Sequence, residues 1–580
     1  MKFEFTPVRR REAGIIAGIA ALYLLIWILL PKPSFWGLDS GIKFQGMQSF
    51  AEHGTIELPD RGIEYNFPPE YRSLPNPFSL KRDNTQTPVF STVFMVLGGI
   101  FQRLFGGWGP FLLPLFGGWF ALYAAWLLWI KQRGMHDGNA YLILVGLGTP
   151  LMFYSLELWE HTIATALITL AFVYLPTRSG EGSHRDHHHG VLLSGILIAL
   201  AALFRTEAGA IFAIALIFWR LTNRSNNSAL RFVFGGLIVA VPGMIINYWL
   251  TGEPYPLQLL SNILYRPLNN IFDLAITRAQ NLYVLTLQGF DENLFSVFGI
   301  IPLLSLPFWR SWRNERGWWP YVFAALLGVG VFYFWKSISA PNRIGYTVVS
   351  GGLFWVTPFV ALALTPLKGE RRKFWQFSWA IWALFVLVVA SFFPSVIGVH
   401  WGPRMVLVVL PLALLIAVTR AQRWWEHYEA ARPIIGLLFV GSIVAQLYSV
   451  TILSSQRIEN AALNKWAAAA NPNPVITNLW WMPGDCSIAS YKQPWFINKY
   501  AEDIIFSINS FRKAGVERFS FIETPPYVSD GAWIRFGAQR VGDDKFSRGK
   551  HGYRRTILEI TANEADSTAI EPQDRTRVRR

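Results

Sequence analysis

Residues 13–30, AGIIAGIAALYLLIWILL, form an uninterrupted run without a charged side chain. A bilayer core of ~30 Å is crossed by roughly 20 apolar residues in a helix, so this run predicts a membrane-spanning helix. Three arginines, Arg9 to Arg11, precede the run, and Pro31-Lys32-Pro33 follows where a secretory signal would carry a small-residue cleavage site. The run is therefore interpreted as an uncleaved signal anchor.

Apolar runs of about this size recur along the chain and predict a polytopic α-helical membrane protein with about 13 transmembrane helices. They lie near residues 13–30, 110–130, 140–156, 161–176, 190–204, 206–220, 231–250, 293–309, 318–335, 344–364, 374–392, 405–419 and 433–453.

The composition agrees with a membrane protein. Of the 580 residues, 52% are hydrophobic and only 15% are charged, which is too apolar for an ordinary soluble chain of this length. The formal net charge of +15 does not indicate nucleic-acid binding, because the Lys and Arg residues lie in loops between apolar runs. Cys486 is the single cysteine, which excludes an internal disulfide and a cysteine metal cluster.

The basic residues predict the orientation. They concentrate in alternate loops, such as Arg9 to Arg11, residues 310–316, 368–373 and 420–432. By the positive-inside rule these loops are cytoplasmic. We therefore expect a multi-pass protein of the cell (inner) membrane, with a cytoplasmic amino terminus and an external, periplasmic carboxyl-terminal domain.

One assignment stays open at this stage. Residues 88–105 are also apolar, but counting them as a span would move Lys131 and Arg133 to the outside, so an interfacial or re-entrant helix is preferred. The reverse assignment requires one helix over residues 190–220 with Arg205 and Glu207 buried in it, which is costly in a membrane.

The remaining sequence is more polar. The predicted transmembrane domain covers residues 1–454 and includes a long external loop at 31–109 with interfacial helices. Residues 455–560 predict a small external α/β domain, with strands at 475–479, 518–523 and 556–560 and a helix at 501–514. Residues 561–580 are polar and predict a disordered tail.

Acidic residues on the external side are the candidate catalytic groups. Asp39 opens the long loop, with Lys43 on the same side of a possible short helix through Phe50; Asp39 is equally suited to cap that helix. Glu157, Glu160 and His161 lie at the outer end of an apolar run, where ionisable groups are functional candidates by default. An interfacial cluster solvated by headgroups is the alternative.

Basic residues on the same side are candidate ligands for a lipid phosphate. Lys81 and Arg82 precede the Pro88 helix, and His400 and Arg404 precede another apolar run. The planar guanidinium of an arginine binds phosphate oxygens with two hydrogen bonds. Each of these residues also suits a purely interfacial role. No zinc motif or phosphate-binding glycine loop is present, so no metal ligands are assigned, although a divalent ion is not excluded.

Together these features resemble the GT-C glycosyltransferases, whose branches include the protein O-mannosyltransferases and the lipid A aminoarabinose transferase. The resemblance rests on the order of one helix, an external loop that starts Trp36-Gly37-Leu38-Asp39, an apolar helix after Thr87-Pro88, and a soluble tail. It implies that Asp39 is the catalytic base and that Lys81 or Arg82 contacts the lipid phosphate. Asp39-Ser40 stands where the mannosyltransferases carry an Asp-Glu pair, so sugar and acceptor stay open.

The resemblance implies transfer of a sugar from a polyprenyl-phosphate donor to a glycan, lipid or protein acceptor on the external face, with inversion at the anomeric carbon. No cofactor is expected besides this donor. Two other classes are open: a transporter or lipid flippase, and a non-enzymatic envelope-assembly protein. A transporter favours ionisable groups or broken helices near the midplane of the membrane and often internal repeats.

Overall fold

The computed structural model describes residues 7–67, 78–82, 84–134, 136–175, 184–222, 226–264, 271–289, 351–367, 372–392, 400–469, 474–498, 500–548 and 551–561. The chain divides into two compact units. Residues 1–31 and 90–455 form unit 1, and residues 32–89 and 456–580 form unit 2. The predicted runs at 293–309 and 318–335, the start of the run at 344–364, and the predicted tail at 562–580 lie outside the described residues.

Unit 1 is helical. The helices of the whole described chain up to residue 468 are α1 (Pro7–Leu29), α2 (Leu38–His53), α3 (Thr92–Phe105), α4 (Leu112–Arg133), α5 (Asn139–Leu147), α6 (Leu151–Leu156), α7 (His161–Tyr174), α8 (His184–Phe204), α9 (Ala208–Thr222), α10 (Asn226–Thr251), α11 (Leu257–Leu264), α12 (Ile271–Thr286), α13 (Leu353–Val356), α14 (Arg372–Phe392), α15 (Leu410–His427) and α16 (Arg432–Ala468). Of these, α2 and the end of α16 from residue 456 belong to unit 2.

Six helical segments in the described part of the chain are long and apolar enough to cross a membrane. They are Pro7–Leu29, Thr92–Arg133, Asn227–Thr251, Phe374–Phe392, Arg404–His427 and Arg432–Ala468. The apolar helices at 161–174, 189–204 and 208–218 are shorter than this length. The chain is thus a helical membrane protein, and the count of about 13 spans stays a prediction.

The structure decides between the two assignments of residues 190–220. Helix α8 ends at Phe204 and α9 begins at Ala208, so the single long helix of the alternative assignment is not formed. Arg205 and Glu207 lie in the three-residue break, and both are nevertheless buried, with 2% and 1% exposure. Burying this charge pair inside a single long helix was the cost of the alternative assignment. The pair is in fact buried, but in a break between helices where other segments can supply partners.

Small and hydroxyl residues let the helices of unit 1 pack closely, as is common in membrane proteins. A side chain at Gly195 of α8 would meet the backbone oxygen of Phe232 in α10 at 2.2 Å, so this crossing requires glycine. The hydroxyl of Thr162 in α7 donates to the carbonyl of Pro114 in α4 at 2.9 Å. These contacts hold α7 and α8, which flank the candidate site.

Unit 2 contains two sheets. A three-stranded antiparallel sheet has the order β1 (Leu58–Pro59), β3 (Thr85–Pro88), β2 (Ser79–Arg82). A five-stranded sheet has the order β5 (Trp495–Ile497), β4 (Val475–Thr477), β6 (Arg518–Glu523), β8 (His551–Ile560), β7 (Ala538–Arg548). Strand β4 runs parallel to β5 and β6, whereas β8 is antiparallel to β6 and β7.

Short helices accompany the larger sheet: α17 (Met482–Asp485), α18 (Ser487–Lys492), α19 (Ala501–Lys513) and α20 (Asp530–Arg535). Because side chains alternate along a strand, the sheet has a hydrophobic cluster on each face. Ile476 and Phe496 pack with α19 on one face, and Val475 and Trp495 pack with α17 and α18 on the other. Phe67, from the first loop, packs against Phe496 with ring centroids 4.4 Å apart. The first loop and the carboxyl-terminal segment therefore share one core.

Helix α2 is held against α17 and α18 by close contacts. A side chain at Gly41 would come within 1.8 Å of the carbonyl oxygen of Gly484, so the two backbones approach as closely as glycine allows. One turn later, the amide nitrogen of Gln45 donates to the carbonyl of Ser487 at 3.1 Å and to the hydroxyl of Ser490 at 2.7 Å. The helix that carries Asp39 is thus fixed within unit 2.

Candidate active site

Asp39 lies in the first turn of α2. The residue that caps this helix is Gly37, without a side-chain cap, so the interpretation of Asp39 as the N-cap is wrong. A carboxylate in the first turn is still stabilised by the positive end of the helix dipole. Asp39 is half-buried, and Lys43, one turn further on the same side of the helix, is 1% exposed. Capping of the helix therefore does not explain an aspartate at this position.

The segment before α2 also carries positive charge. The hydroxyl of Ser34 donates to the carbonyl of Arg457, a residue with 0% exposure, so the two segments lie side by side. Burial, and then the nearby charge of Arg457, lowers the pKa of Lys32 to about 8. Two basic groups thus converge near the start of the Asp39 helix.

In unit 1, Glu157, Glu160 and His161 lie in the short turn between α6 and α7. All three are buried, at 0%, 1% and 0% exposure. Glu160 accepts a hydrogen bond from Nη1 of Arg205 at 2.7 Å. Nε of the same guanidinium donates to Glu207 at 2.7 Å. We call Glu160, Arg205 and Glu207 the ion-pair triad.

Aromatic rings pack around the same turn. The ring of His161 lies 5.2 Å from that of Trp159 and 5.2 Å from that of Tyr154, measured between centroids. The guanidinium carbon of Arg404 lies over the Trp159 ring, 4.4 Å from its centroid, in cation–π geometry. Four predicted site residues, Glu157, Glu160, His161 and Arg404, therefore gather around Trp159.

The segment that precedes Arg404 is fixed to α6. The Tyr154 hydroxyl donates to the carbonyl of Trp401 at 2.7 Å, and the Trp401 indole donates to Gln446 at 3.0 Å. His400 is buried, and its Nδ1 lies 2.7 Å from the carbonyl oxygen of Gly402. His400 therefore shapes the turn that leads into the 3-10 helix Arg404–Val409.

The other predicted basic residues belong to unit 2. Lys81 and Arg82 lie on strand β2, paired in register with Gln86 and Thr85 of β3. Among the candidates, Asp39, Lys43, Lys81 and Arg82 are thus in unit 2, and the other five are in unit 1. Within the described ranges, no group of three or more His, Cys, Asp or Glu side chains has a geometry that holds a metal ion.

Two charged residues of the triad, Arg205 and Glu207, were not assigned to the site from the sequence. The sequence shows them only as two charged residues, Arg205 and Glu207, between two apolar runs. The sequence gives no sign that Arg205 pairs with Glu160, because 45 residues separate them.

A cavity of about 360 Å³ in unit 1 lies beside this break. Its wall is formed by the start of α3, the end of α8, the start of α9, the middle of α10 and residues 254–258. Two of its polar side chains are paired with protein groups: Thr92 donates to Asn247 at 2.6 Å, and the Asn247 amide donates to the carbonyls of Glu253 and Tyr255. The cavity is thus suited to an apolar chain.

Comparison with solved structures identifies the fold. The chain is similar to the lipid A aminoarabinose transferase ArnT from Cupriavidus metallidurans bound to undecaprenyl phosphate, at a TM-score of 0.53, with 11% identity over 97% of this chain and 99% of that one. The apo form of ArnT gives a TM-score of 0.51, with 11% identity over 96% and 99%. An oligosaccharyltransferase from Archaeoglobus fulgidus gives 0.47, with 12% identity over 88% and 69%. The chain therefore has the overall fold of ArnT, in agreement with the predicted resemblance.

Comparison by sequence finds no match. No protein-family model matches the chain, and no curated protein sequence matches it.

Proposed function

We propose that this protein is a membrane glycosyltransferase that moves a sugar from a polyprenyl-phosphate donor to an acceptor on the external face of the membrane. The observation that carries the proposal is the fold of ArnT over 97% of the chain, because that protein was crystallised with undecaprenyl phosphate. The carboxylate and arginine groups that such a transfer requires are present in the described residues.

In the proposed reaction, an acceptor hydroxyl attacks the anomeric carbon of the donor. Asp39 takes the hydroxyl proton, the new glycosidic bond forms, and the bond between the anomeric carbon and the phosphate oxygen breaks. The lipid monophosphate leaves with the bonding electrons, and the anomeric configuration inverts. A base of this kind contributes typically 10²- to 10⁴-fold to the rate.

The released phosphate carries negative charge that needs stabilisation as the bond breaks. Arg404 is the proposed ligand in unit 1, since its guanidinium is held over Trp159 and two parallel donors suit a phosphate. Lys43, Lys81 and Arg82 are the proposed ligands in unit 2. The apolar cavity in unit 1 is the proposed site for part of the lipid chain.

Glu160 is less suited than Asp39 to be the base. Its carboxylate already accepts a hydrogen bond from Arg205 at 2.7 Å and is 1% exposed. A substrate hydroxyl cannot readily approach a carboxylate that is buried and already paired. Glu157 and His161 remain the alternatives if Asp39 is not the base.

The proposal is tested with purified protein in liposomes and a polyprenyl-phosphate sugar labelled in the sugar. We expect release of unlabelled polyprenyl phosphate together with label in an acceptor fraction from the source membrane. Movement of the intact donor from one leaflet to the other, with no release of polyprenyl phosphate, would instead identify a flippase. The proposed orientation is tested separately with reporters fused after Arg580. A reporter that works only outside the cytoplasm is expected to be active, and one that works only in the cytoplasm is expected to be inactive.

A further inference from the structure

The break between α8 and α9 directs successive side chains to different places. Arg205 and Glu207 take part in the ion-pair triad, whereas Thr206 lines the apolar cavity. Backbone hydrogen bonds fix the break: the amides of Ala208 and of residue 210 donate to the carbonyls of Arg205 and Glu207, both at 2.9 Å. The backbone that carries Arg205 and Glu207 is therefore fixed to the start of α9.

Arg205 connects two segments that are distant in sequence. One guanidinium edge binds Glu207 in its own break, and the next nitrogen binds Glu160 in the turn between α6 and α7. The side chains of the triad are at most 3% exposed. Buried charges must be paired, so the two carboxylates and the guanidinium constrain one another's positions.

Glu160 is the neighbour of Trp159, whose ring faces Arg404. The turn containing both residues is short, and the amide of Trp159 donates to the carbonyl of Glu157 at 2.7 Å. Anchoring Glu160 therefore restricts how the Trp159 ring can lie. A cation–π contact depends on the ring face that it meets, so the position of Arg404 depends on the same anchor.

We propose that Arg205 is a positioning residue for the donor phosphate: through Glu160 and Trp159 it holds the Arg404 guanidinium in its binding orientation. This inference rests on the proposed function, in which Arg404 binds the phosphate. Arg205 itself touches neither the phosphate nor the sugar. A purely structural role would contribute to stability without a specific coupling to Arg404.

The test measures the Kd of undecaprenyl phosphate for the full chain in detergent, together with thermal stability. Arg205→Gln is expected to weaken binding by roughly 2- to 30-fold, the usual range for a residue that acts through a network. Arg205→Lys recovers only part of the loss, because a single ammonium cannot bridge both carboxylates in fork geometry. In the Arg404→Ala background, Arg205→Gln is expected to have no further effect on the Kd.

Two results would overturn the inference: an unchanged Kd in Arg205→Gln, or a loss that adds fully to that of Arg404→Ala. If Arg404→Ala alone leaves the Kd unchanged, the proposed phosphate site has failed instead, so the two failures are distinguishable.

A second route covers the case in which Arg205→Gln does not fold, since it leaves buried carboxylates without their cation. Trp159→Leu leaves the ion-pair triad in place and removes the ring below Arg404. The inference requires Trp159→Leu to weaken binding and to be non-additive with Arg404→Ala. Full additivity or unchanged binding would reject it. The triple variant Arg205→Gln with Glu160→Gln and Glu207→Gln removes all three charges of the triad, so it is expected to fold yet bind as weakly as Arg205→Gln would.

Discussion

The two regions that carry the candidate residues hold them in opposite ways. In unit 1, Glu160 is buried and forms an ion pair with Arg205, so its position depends on a partner. In unit 2, Asp39 is half-buried on a helix that is fixed by close contacts at Gly41 and Gln45. A group that must exchange a proton needs the second arrangement, and a group that supports a neighbour needs the first.

The largest expected effect is at Asp39. Asp39→Asn keeps the shape of the side chain and removes the proton acceptor. We predict that transfer falls by roughly 10²-fold or more, the scale for losing a general base. The thermal unfolding temperature should change little, since a charge in the first turn of a helix contributes only about 0.3–1 kcal/mol. The check is sugar transfer from the labelled donor alongside a melting curve.

Glu160→Gln is the matched comparison, because it makes the same change in a paired carboxylate. We expect it to lower the unfolding temperature, since it leaves Arg205 with one carboxylate fewer in a buried setting. Transfer within a few-fold of wild type in Asp39→Asn would reject Asp39 as the base and move attention to Glu157 and His161.

Arg404 gives the next effect. Arg404→Ala removes a charged hydrogen-bond donor, which is worth about 1.5–3 kcal/mol, so we predict an increase of roughly 10- to 10²-fold in the apparent KM for the donor. Arg404→Lys is expected to recover only part of this affinity, because the bidentate fork is lost. Steady-state kinetics with varied donor measures both. Unchanged kinetics in both variants would return Arg404 to a topological role.

The same residues show which features of the structure the sequence predicts well. The apolar runs and the short helix after the first span follow from local patterns: residues 39–50 were expected to be helical, and α2 covers Leu38–His53. The four unit 1 residues around Trp159 are candidates from the sequence because ionisable groups at the edge of an apolar run are functional candidates by default. Local rules are sufficient there.

The pairing between distant segments was not predictable in the same way. Gly41 looks like an ordinary helix glycine in the sequence, and only the approach of Gly484 to within 1.8 Å of its Cβ position explains it. The same is true of Glu160 with Arg205. Such contacts depend on how helices cross, which a hydrophobic pattern does not specify. The grouping of residues 32–89 with the carboxyl-terminal segment has the same origin.

The third prediction tests how the Asp39 helix is fixed. Gly41→Ala places a methyl group where the Gly484 carbonyl lies, so the helix must shift. Overpacking of this kind costs typically 1–3 kcal/mol, and we expect lower stability together with reduced transfer. Gly531→Ala is the control in the same unit, because its Cβ would meet nothing within 4 Å. Equal stability of the two variants in thermal unfolding would contradict the close contact.

The fourth prediction concerns the apolar cavity of unit 1. Gly209 lines this cavity, and a Cβ there would meet nothing within 4 Å, so Gly209→Leu fills the space without a clash at its first atom. We predict a weaker affinity for undecaprenyl phosphate, by several-fold up to about 10²-fold, since the leucine displaces apolar contacts of the lipid worth roughly 1.5–3 kcal/mol at most. Gly18→Leu, in α1 and also in open space, is the control. Unchanged affinity in Gly209→Leu would remove the lipid chain from this cavity.

The smallest expected effect concerns Lys32, at the edge of unit 2. Burial and the charge of Arg457 lower its pKa to about 8, so the folded protein holds this proton less tightly than the unfolded chain does. Above pH 10.5 the lysine is neutral in both states, so its burial costs the folded protein nothing. As the pH falls to about 8 the unfolded chain takes up the proton first, so the folded protein loses stability relative to it. Lys32→Gln removes that loss, so the ligand-free variant should be more stable than wild type at pH 7, and the difference should disappear near pH 10.5. Because Lys32 is only half-buried, the gain should stay under about 1 kcal/mol. Unfolding at both pH values measures it, with the exposed Lys492→Gln as control. A gain that does not depend on pH would show that burial of the Lys32 charge is not its cause.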